Sequence, residues 1–420
     1  MLIPRLENHA RVPKGPLKSV DLTCNSYFYR QLLNDERRTL FDYILDFSKR
    51  ELVPRTCDIH TGKLSYSALI PLLKEFCSIG IPTKLGGDDN FCRIVDTAIL
   101  HQNLAYGSAS AAAFFDVDGL FPFVLMLAGN EEQQETYVRK IAKGEIIGSY
   151  ALSDINCASD VANMNSLTFS KTDRGFVLNG SKIFVTNGPI ADYTIAFATE
   201  SGTATTRKNI SAFIVPVKKE GVNGFVSEKP MEKIGWRGSP TSIISFDEVE
   251  IPKENLVGEL GQGFPIAVTS LAYGRVNVAA EALGLMERVL DEVIKFAQTR
   301  PAVGAATLKD TEVFQYQLSH IAECIEAARG MVYNAAFLAE STDENGRIPS
   351  FAIQAAAAKS FAAQSLLDVS ALGVQLHGGN GVTLEYPVSV IYADAPIYSQ
   401  IEGALNVLNI WIGKIMAGGK

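Results

Sequence analysis

Toward the end of the chain a glutamate stands beside a glycine, Glu402-Gly403, among the apolar residues Ile397, Tyr398, Ile401 and Ala404. A carboxyl in such surroundings is desolvated, so its proton affinity rises and it becomes a usable general base near neutral pH. The same carboxylate would also suit the positive end of a helix dipole without any chemistry. Upstream, the run Gln375 to Gly381 contains Gly378, Gly379 and Gly381. Such a turn lets main-chain N–H groups approach a diphosphate closely, although a plain helix end needs only one of these glycines. Arg300, just before Pro301, is placed either to satisfy helix-terminal carbonyls or to reach a diphosphate from a neighbouring subunit. Arg275 lies in an otherwise apolar helical stretch and is therefore either paired or facing a polar ligand. Thr186-Asn187-Gly188 closes a predicted strand that carries Phe184. That arrangement sets a ring and a hydroxyl where a flat cofactor could lie, or it is simply a turn.

Three kinds of element must position these residues. Residues 1–25, punctuated by proline and lysine, read as an N-terminal arm. Over 26–145 the texture is helical: Leu40, Tyr43, Ile44 and Phe47 repeat at three and four, as do Leu69, Leu72, Leu73 and Phe76. Over 146–258 it changes to short β-branched and aromatic runs such as Leu167 to Phe169, Lys182 to Thr186, Tyr193 to Phe197 and Ala212 to Val215. Asp173 to Gly175 and Asn179-Gly180 offer the turn chemistry of a meander, and a small antiparallel barrel or sandwich fits. Over 259–420 alanine-rich helical periodicity returns, as in Val276 to Ala297 and Ile353 to Gly373, and suits a bundle of long helices. The expected class is α+β, mostly α.

Composition excludes several functions. The net charge is -8, from 46 acidic against 38 basic residues, which leaves no broad cationic surface for a phosphate backbone, so nucleic acid is not expected as a partner. The six cysteines include no Cys-x-x-Cys pair and the five histidines do not cluster with them, so mostly buried, reduced thiols and no metal site are expected. No secretory signal is read at the N-terminus, and no uninterrupted apolar run of about 18 residues suggests a spanning helix. The expected location is the cytoplasm.

Five segments, in order over nearly the whole chain, resemble the acyl-CoA dehydrogenase flavoproteins: Tyr150 to Asp160; Leu178 to Gly188; Gly235 to Thr241 with Phe246-Asp247 and Val257-Gly258; Gly274-Arg275; and Gln375 to Gly403. The resemblance implies an N-terminal helical domain, a middle antiparallel β-barrel domain and a C-terminal four-helix bundle. It further implies FAD as cofactor and α,β-dehydrogenation of an acyl thioester, with Glu402 as the base that removes the α-proton. Tyr150, Leu152, Ser153 and Ser159 would line the isoalloxazine and thioester, Phe184 would lie against the flavin, and Thr186 would bond near its N5. Arg300, Gln375, Gly378 and Gly379 would hold the diphosphate across a subunit boundary, with Ala404 and Asn406 also beside the cofactor. Ser159, Tyr273, Arg275 and Gly403 would face the substrate. In some relatives the base instead precedes the arginine that matches Arg275; here that position is Gly274.

The chain also departs from the family pattern. The usual loop Thr-Glu-Pro-x-Ala-Gly-Ser-Asp is Ser153 to Asp160 here, without its proline and one glycine. An expected aspartate is Ala272, the usual Arg-Asp pair is Ala393-Asp394, and the usual Glu-Gly-Thr is Glu402-Gly403-Ala404. These changes predict a short or functionalised acyl group, on CoA or on a carrier protein in a biosynthetic pathway. The alternatives are a short- or medium-chain β-oxidation enzyme, a flavin oxidase or monooxygenase, and a non-catalytic assembly protein on the same fold. An electron-transferring flavoprotein or another acceptor, and a homotetramer or homodimer, complete the expectation.

Overall fold

The computed structural model describes residues 33–157, 159–204, 206–217, 222–341 and 351–419. The expected arm, the start of the first helical unit and Cys24 lie outside them.

Helix α1 (Asp35–Phe47) starts where the Asn34 side chain accepts the Arg37 N–H at 2.9 Å, and its stripe Leu40, Phe41, Ile44, Leu45 and Phe47 is buried. Two helices behind it, α2 (Ile94–Gly107) and α3 (Ala109–Ala128), are buried around most of their circumference. By length and composition α3 could cross a membrane, yet 67% of it is enclosed by the protein, so the core accounts for its apolarity. Asp118 of α3 accepts the Gly148 N–H at 2.7 Å, which fixes where the chain enters the sheet.

The sheet is built from β1 (Gly148–Ala151), β2 (Leu167–Lys171), β3 (Gly175–Thr186), β4 (Tyr193–Glu200), β5 (Ile210–Pro216), β6 (Phe225–Ser227), β7 (Thr241–Pro252) and β8 (Leu256–Val257). Its order is β6-β7-β3-β2-β4-β5-β8, with β1 also on β4. It differs from the expected antiparallel arrangement in one respect: β1 and β2 both pair with β4 in parallel. They lie in succession along the same edge of β4, so one chain direction serves both. Residues 152–166 leave the sheet between them, and this excursion carries Ser153 and Ser159.

Asn179-Gly180 is not a turn. It lies inside β3, where the register against β7 shifts between Leu178 and Gly180. Gly180 has φ 124°, and a Cβ there would sit 1.9 Å from the Ser166 carbonyl oxygen. Ladders to β2 and β7 on both sides outweigh the local turn preference and leave a bulge.

The chain then forms α4 (Gly263–Ala297), α5 (Glu312–Glu340), α6 (Ala352–His377), α7 (Pro387–Tyr398) and α8 (Leu405–Met416). The 35-residue α4 is central, packing against α2, α5, α6 and α7 through residues such as Val276, Leu283, Met286 and Val289. Each such side chain contributes about 1.5–3 kcal/mol by leaving water. Among the described cysteines, Cys77 and Cys324 are buried as expected, while Cys57, Cys92 and Cys157 are partly exposed, and all five are free thiols.

Candidate active site

Between α7 and α8 the chain turns through two left-handed residues, Glu402 at φ 51° and Gly403 at φ 103°. A glutamate in that region costs about 1–3 kcal/mol and persists only where its surroundings impose it. Two cations do so: Arg275 Nε donates to the Glu402 carbonyl at 2.9 Å, and Lys359 Nζ donates to the Gly403 carbonyl at 2.7 Å. Arg275 is therefore paired, and its guanidinium also lies 6.0 Å from the Trp411 ring centroid.

Glu402 as a residue is half-buried, but its Oε2 is enclosed and has no hydrogen-bond partner among the described residues. The carboxyl sits directly over Gly274, where an added Cβ would lie 2.9 Å from Glu402 Cδ. Gly274 is thus the notch that admits this side chain. Burial, opposed by Arg275 and Lys359 and aided by Glu281, pushes the Glu402 carboxyl up to about 7. Burial likewise pushes the Lys359 ammonium down to about 7, against the pull of Glu402.

The other residues singled out from sequence fall into two groups. In the first, Tyr150 of β1 feels the Glu402 charge, and its hydroxyl lies 3.0 Å from Ser270 Oγ. Leu152 is buried, and its carbonyl accepts Lys182 Nζ at 3.1 Å. Ser153 and Ser159 are exposed on the excursion. Asp154 ties that excursion down by accepting the Asn156, Asn165 and Ser166 N–H groups at 2.8–3.0 Å and by pairing with buried Lys182 at 3.4 Å. At the end of β3, Phe184 is 64% exposed at φ 56°, and Thr186 Oγ1 lies 3.3 Å from Thr241 Oγ1. Tyr273 packs its ring against Phe123 and Phe351. Ala404 caps α8, and Asn406 is exposed, its side chain accepting the Val407 N–H at 2.9 Å.

The second group is elsewhere. Arg300 stands over Phe296 at 5.9 Å, and Phe296 stacks on His377 at 4.3 Å, next to exposed Gln375, Gly378 and Gly379. Added Cβ atoms at Gly378 and Gly379 would meet nothing within 4 Å, and Gly378 has φ 58°. This open glycine turn lies at the far end of α4, roughly 35 Å of helix from Gly274 at 1.5 Å per residue.

Sequence reasoning missed Lys359 and a buried trio formed by His101 on α2, Asp116 on α3 and Glu281 on α4. His101 Nδ1 lies 2.7 Å from Glu281 Oε1. A cavity of about 360 Å³ runs beside the trio and reaches Tyr273 and Gly274 under Glu402. The available signal was a single ionisable residue within a locally apolar helical run, as Glu281 is within Val278 to Leu283, since such a group is rarely buried unless paired.

Three family models cover the chain in order: the acyl-CoA dehydrogenase N-terminal domain over residues 34–145, the middle domain over 149–249 and the C-terminal domain over 261–417. The chain belongs to the acyl-CoA dehydrogenase family. It is similar to the short-chain specific acyl-CoA dehydrogenase of Clostridium acetobutylicum, at 32% identity over 390 residues, 91% of this chain and 98% of that protein. The CarC subunit of the caffeyl-CoA reductase-Etf complex of Acetobacterium woodii is 32% identical over 375 residues, 88% of this chain and 95% of that one. Butyryl-CoA dehydrogenase from Megasphaera elsdenii superposes with a TM-score of 0.85 at 30% identity, covering 92% of this chain and 99% of that structure. This acyl-CoA dehydrogenase is accordingly an FAD-dependent oxidoreductase acting on CH–CH groups. Its own residues fit a flavin: an exposed ring at Phe184 beside the Thr186 hydroxyl can receive a planar group, and the uncrowded Gly378-Gly379 turn with Arg300 can receive a diphosphate.

Proposed function

We propose that Glu402 is the base of an acyl thioester α,β-dehydrogenation that yields the 2,3-enoyl thioester. The observation that carries this assignment is the enclosed, unpartnered Glu402 Oε2, raised to about 7 and held over the notch at Gly274. A base poised there is ionised often enough at neutral pH to act and basic enough to take a proton. Arg275 and Lys359 grip the carbonyls of Glu402 and Gly403 and so aim the carboxyl while easing its ionisation. The Glu402 main-chain N–H donates to the thioester carbonyl as enolate-like charge develops.

Bound FAD supplies the acceptor for the β-hydrogen, which leaves as hydride. Tyr150, Leu152, Ser153, Ser159, Phe184 and Thr186, with Ala404 and Asn406, hold the flavin end, and Ser159, Tyr273, Arg275 and Gly403 face the thioester. Arg300, Gln375, Gly378 and Gly379 hold the diphosphate of a second copy's cofactor, because the long α4 separates them from Glu402 in one chain. A homodimer or homotetramer follows. The acyl group is short or functionalised and is carried by CoA or a carrier protein. The electron acceptor is an electron-transferring flavoprotein, in keeping with the relative that is a subunit of an Etf complex, and the location is the cytoplasm.

Glu402→Gln is the test. The variant is expected to keep its FAD and to lose flavin reduction by a thioester about 10²–10⁴-fold. Flavin reduction at the wild-type rate overturns the assignment. Matched acyl-CoA and acyl-carrier-protein thioesters, compared in the same assay, identify the carrier.

A further inference from the structure

The cavity beside Glu402 has an acidic wall. His101, Asp116 and Glu281 come from three helices whose other inward residues are mainly apolar, and they are only 3%, 5% and 0% exposed. One oxygen or nitrogen from each lies within 4.8 Å of the others. Asp116 Oδ1 is enclosed with no hydrogen-bond partner among the described residues, whereas the Glu281 carboxyl has the Tyr398 hydroxyl beside it as a donor. The charges that act on Asp116 are those of Glu281 and Glu402, both acidic. Glu402 has Arg275 and Lys359 as counter-charges; neither is among the groups acting on Asp116.

A protein interior seldom leaves a carboxyl oxygen without a donor, because the lost hydration is then uncompensated. Here Asp116 Oδ1 is such an oxygen, and Asp116 and His101 line the same cavity that reaches Gly274 beneath Glu402. A substrate with its α-carbon at Glu402 sends the far end of its acyl chain toward Asp116. A methyl terminus would leave Asp116 Oδ1 desolvated and unpaired. A terminal carboxylate would meet two acids in a low-dielectric wall.

We infer that the acyl group of this enzyme carries a hydrogen-bond donor, a hydroxyl or an amine, at its far end, and that Asp116 with Glu281 and His101 receives it. The inference rests on Glu402 marking the reacting end of the cavity. It names the substrate class within the reading above.

Binding to the FAD-loaded enzyme tests it without turnover. Calorimetry compares CoA ligands of equal chain length in which sulfur replaces the β-carbon, so that no β-hydrogen can leave, ending in methyl, hydroxyl, ammonium or carboxylate. The hydroxyl- or ammonium-ended ligand is expected to bind roughly tenfold tighter than the methyl-ended one, the scale of one hydrogen bond to a buried carboxyl oxygen that otherwise stays unpaired. The carboxylate-ended ligand is expected to bind weakest. Asp116→Asn, which keeps an acceptor without the charge, should erase a preference for ammonium and keep one for hydroxyl. Asp116→Leu should erase both and raise the melting temperature by removing a buried unpaired carboxyl. Equal affinities, tighter methyl binding, no measurable binding of any of the four, or a preference that survives Asp116→Leu overturns the proposal. So does a divalent ion found at one per chain in the purified protein, since these three side chains would then be its ligands. Flavin reduction by an unsubstituted thioester, and its loss in Glu402→Gln, reports separately on the dehydrogenase reading.

Discussion

Glu402 accepts a proton only when ionised, so the rate of flavin reduction should fall as pH drops through about 7. Burial raises that value, and the Lys359 and Arg275 cations pull it down. Replacing Lys359 with methionine therefore raises Glu402 proton affinity further and moves the acid limb of the pH profile to higher pH, while Lys359→Arg keeps it near the wild-type position. Because Lys359 itself titrates near 7, the limb belongs to the pair rather than to one group. A limb that stays in place in Lys359→Met would show that the lysine only props up the turn. Gly274→Ala tests the notch. The new methyl falls 2.9 Å from Glu402 Cδ and pushes the base aside, so flavin reduction should slow by up to about 10²-fold with FAD content unchanged.

Between elements, the excursion from β1 to β2 depends on the bulge that receives it. Gly180→Ala forces a side chain onto the Ser166 carbonyl and into φ 124°, and is expected to cost more than about 1 kcal/mol in denaturant unfolding. The same position shows where sequence reading stops. Asn-Gly is a strong local turn signal, but pairing on both sides, invisible to a local window, keeps the strand running. Leu40, Ile44 and Phe47 were legible as a buried stripe because a half-buried helix writes its period into its own residues, while Tyr43, read as part of it, is 53% exposed. Strand directions were not, because β1 and β2 meet β4 only after the chain has folded. The site divided in the same way. Glu402-Gly403, Gly274-Arg275 and the glycines after Gln375 stand out within short windows. His101, Asp116 and Glu281 come from distant parts of the chain and look like stray charges until α2, α3 and α4 pack.

At the scale of the molecule, the proposed function makes assembly part of the site, because the two groups of candidate residues lie far apart in one chain. An oligomer mixing Arg300→Glu chains with Glu402→Gln chains should regain activity that neither homo-oligomer has, since an intact base and an intact Arg300 can then meet across a boundary. Measuring thioester-dependent dye reduction in co-expressed, doubly tagged material checks this. No recovery above the two parents would place a complete cofactor site within one chain.

The unbroken run of α4 from Gly263 to Ala297 acts as a ruler. Gly274, toward one end, carries the notch under the proposed base and the other end leads to Arg300, so in the proposed assembly the spacing between one chain's reaction chamber and its contribution to the next is set in steps of 1.5 Å and about 100° per residue. A single inserted residue between those ends would leave each end locally well formed yet swing the distal cation about a quarter-turn off axis. A change of length inside that rod would therefore uncouple its two ends, whereas an exchange of one side chain for another leaves their spacing intact.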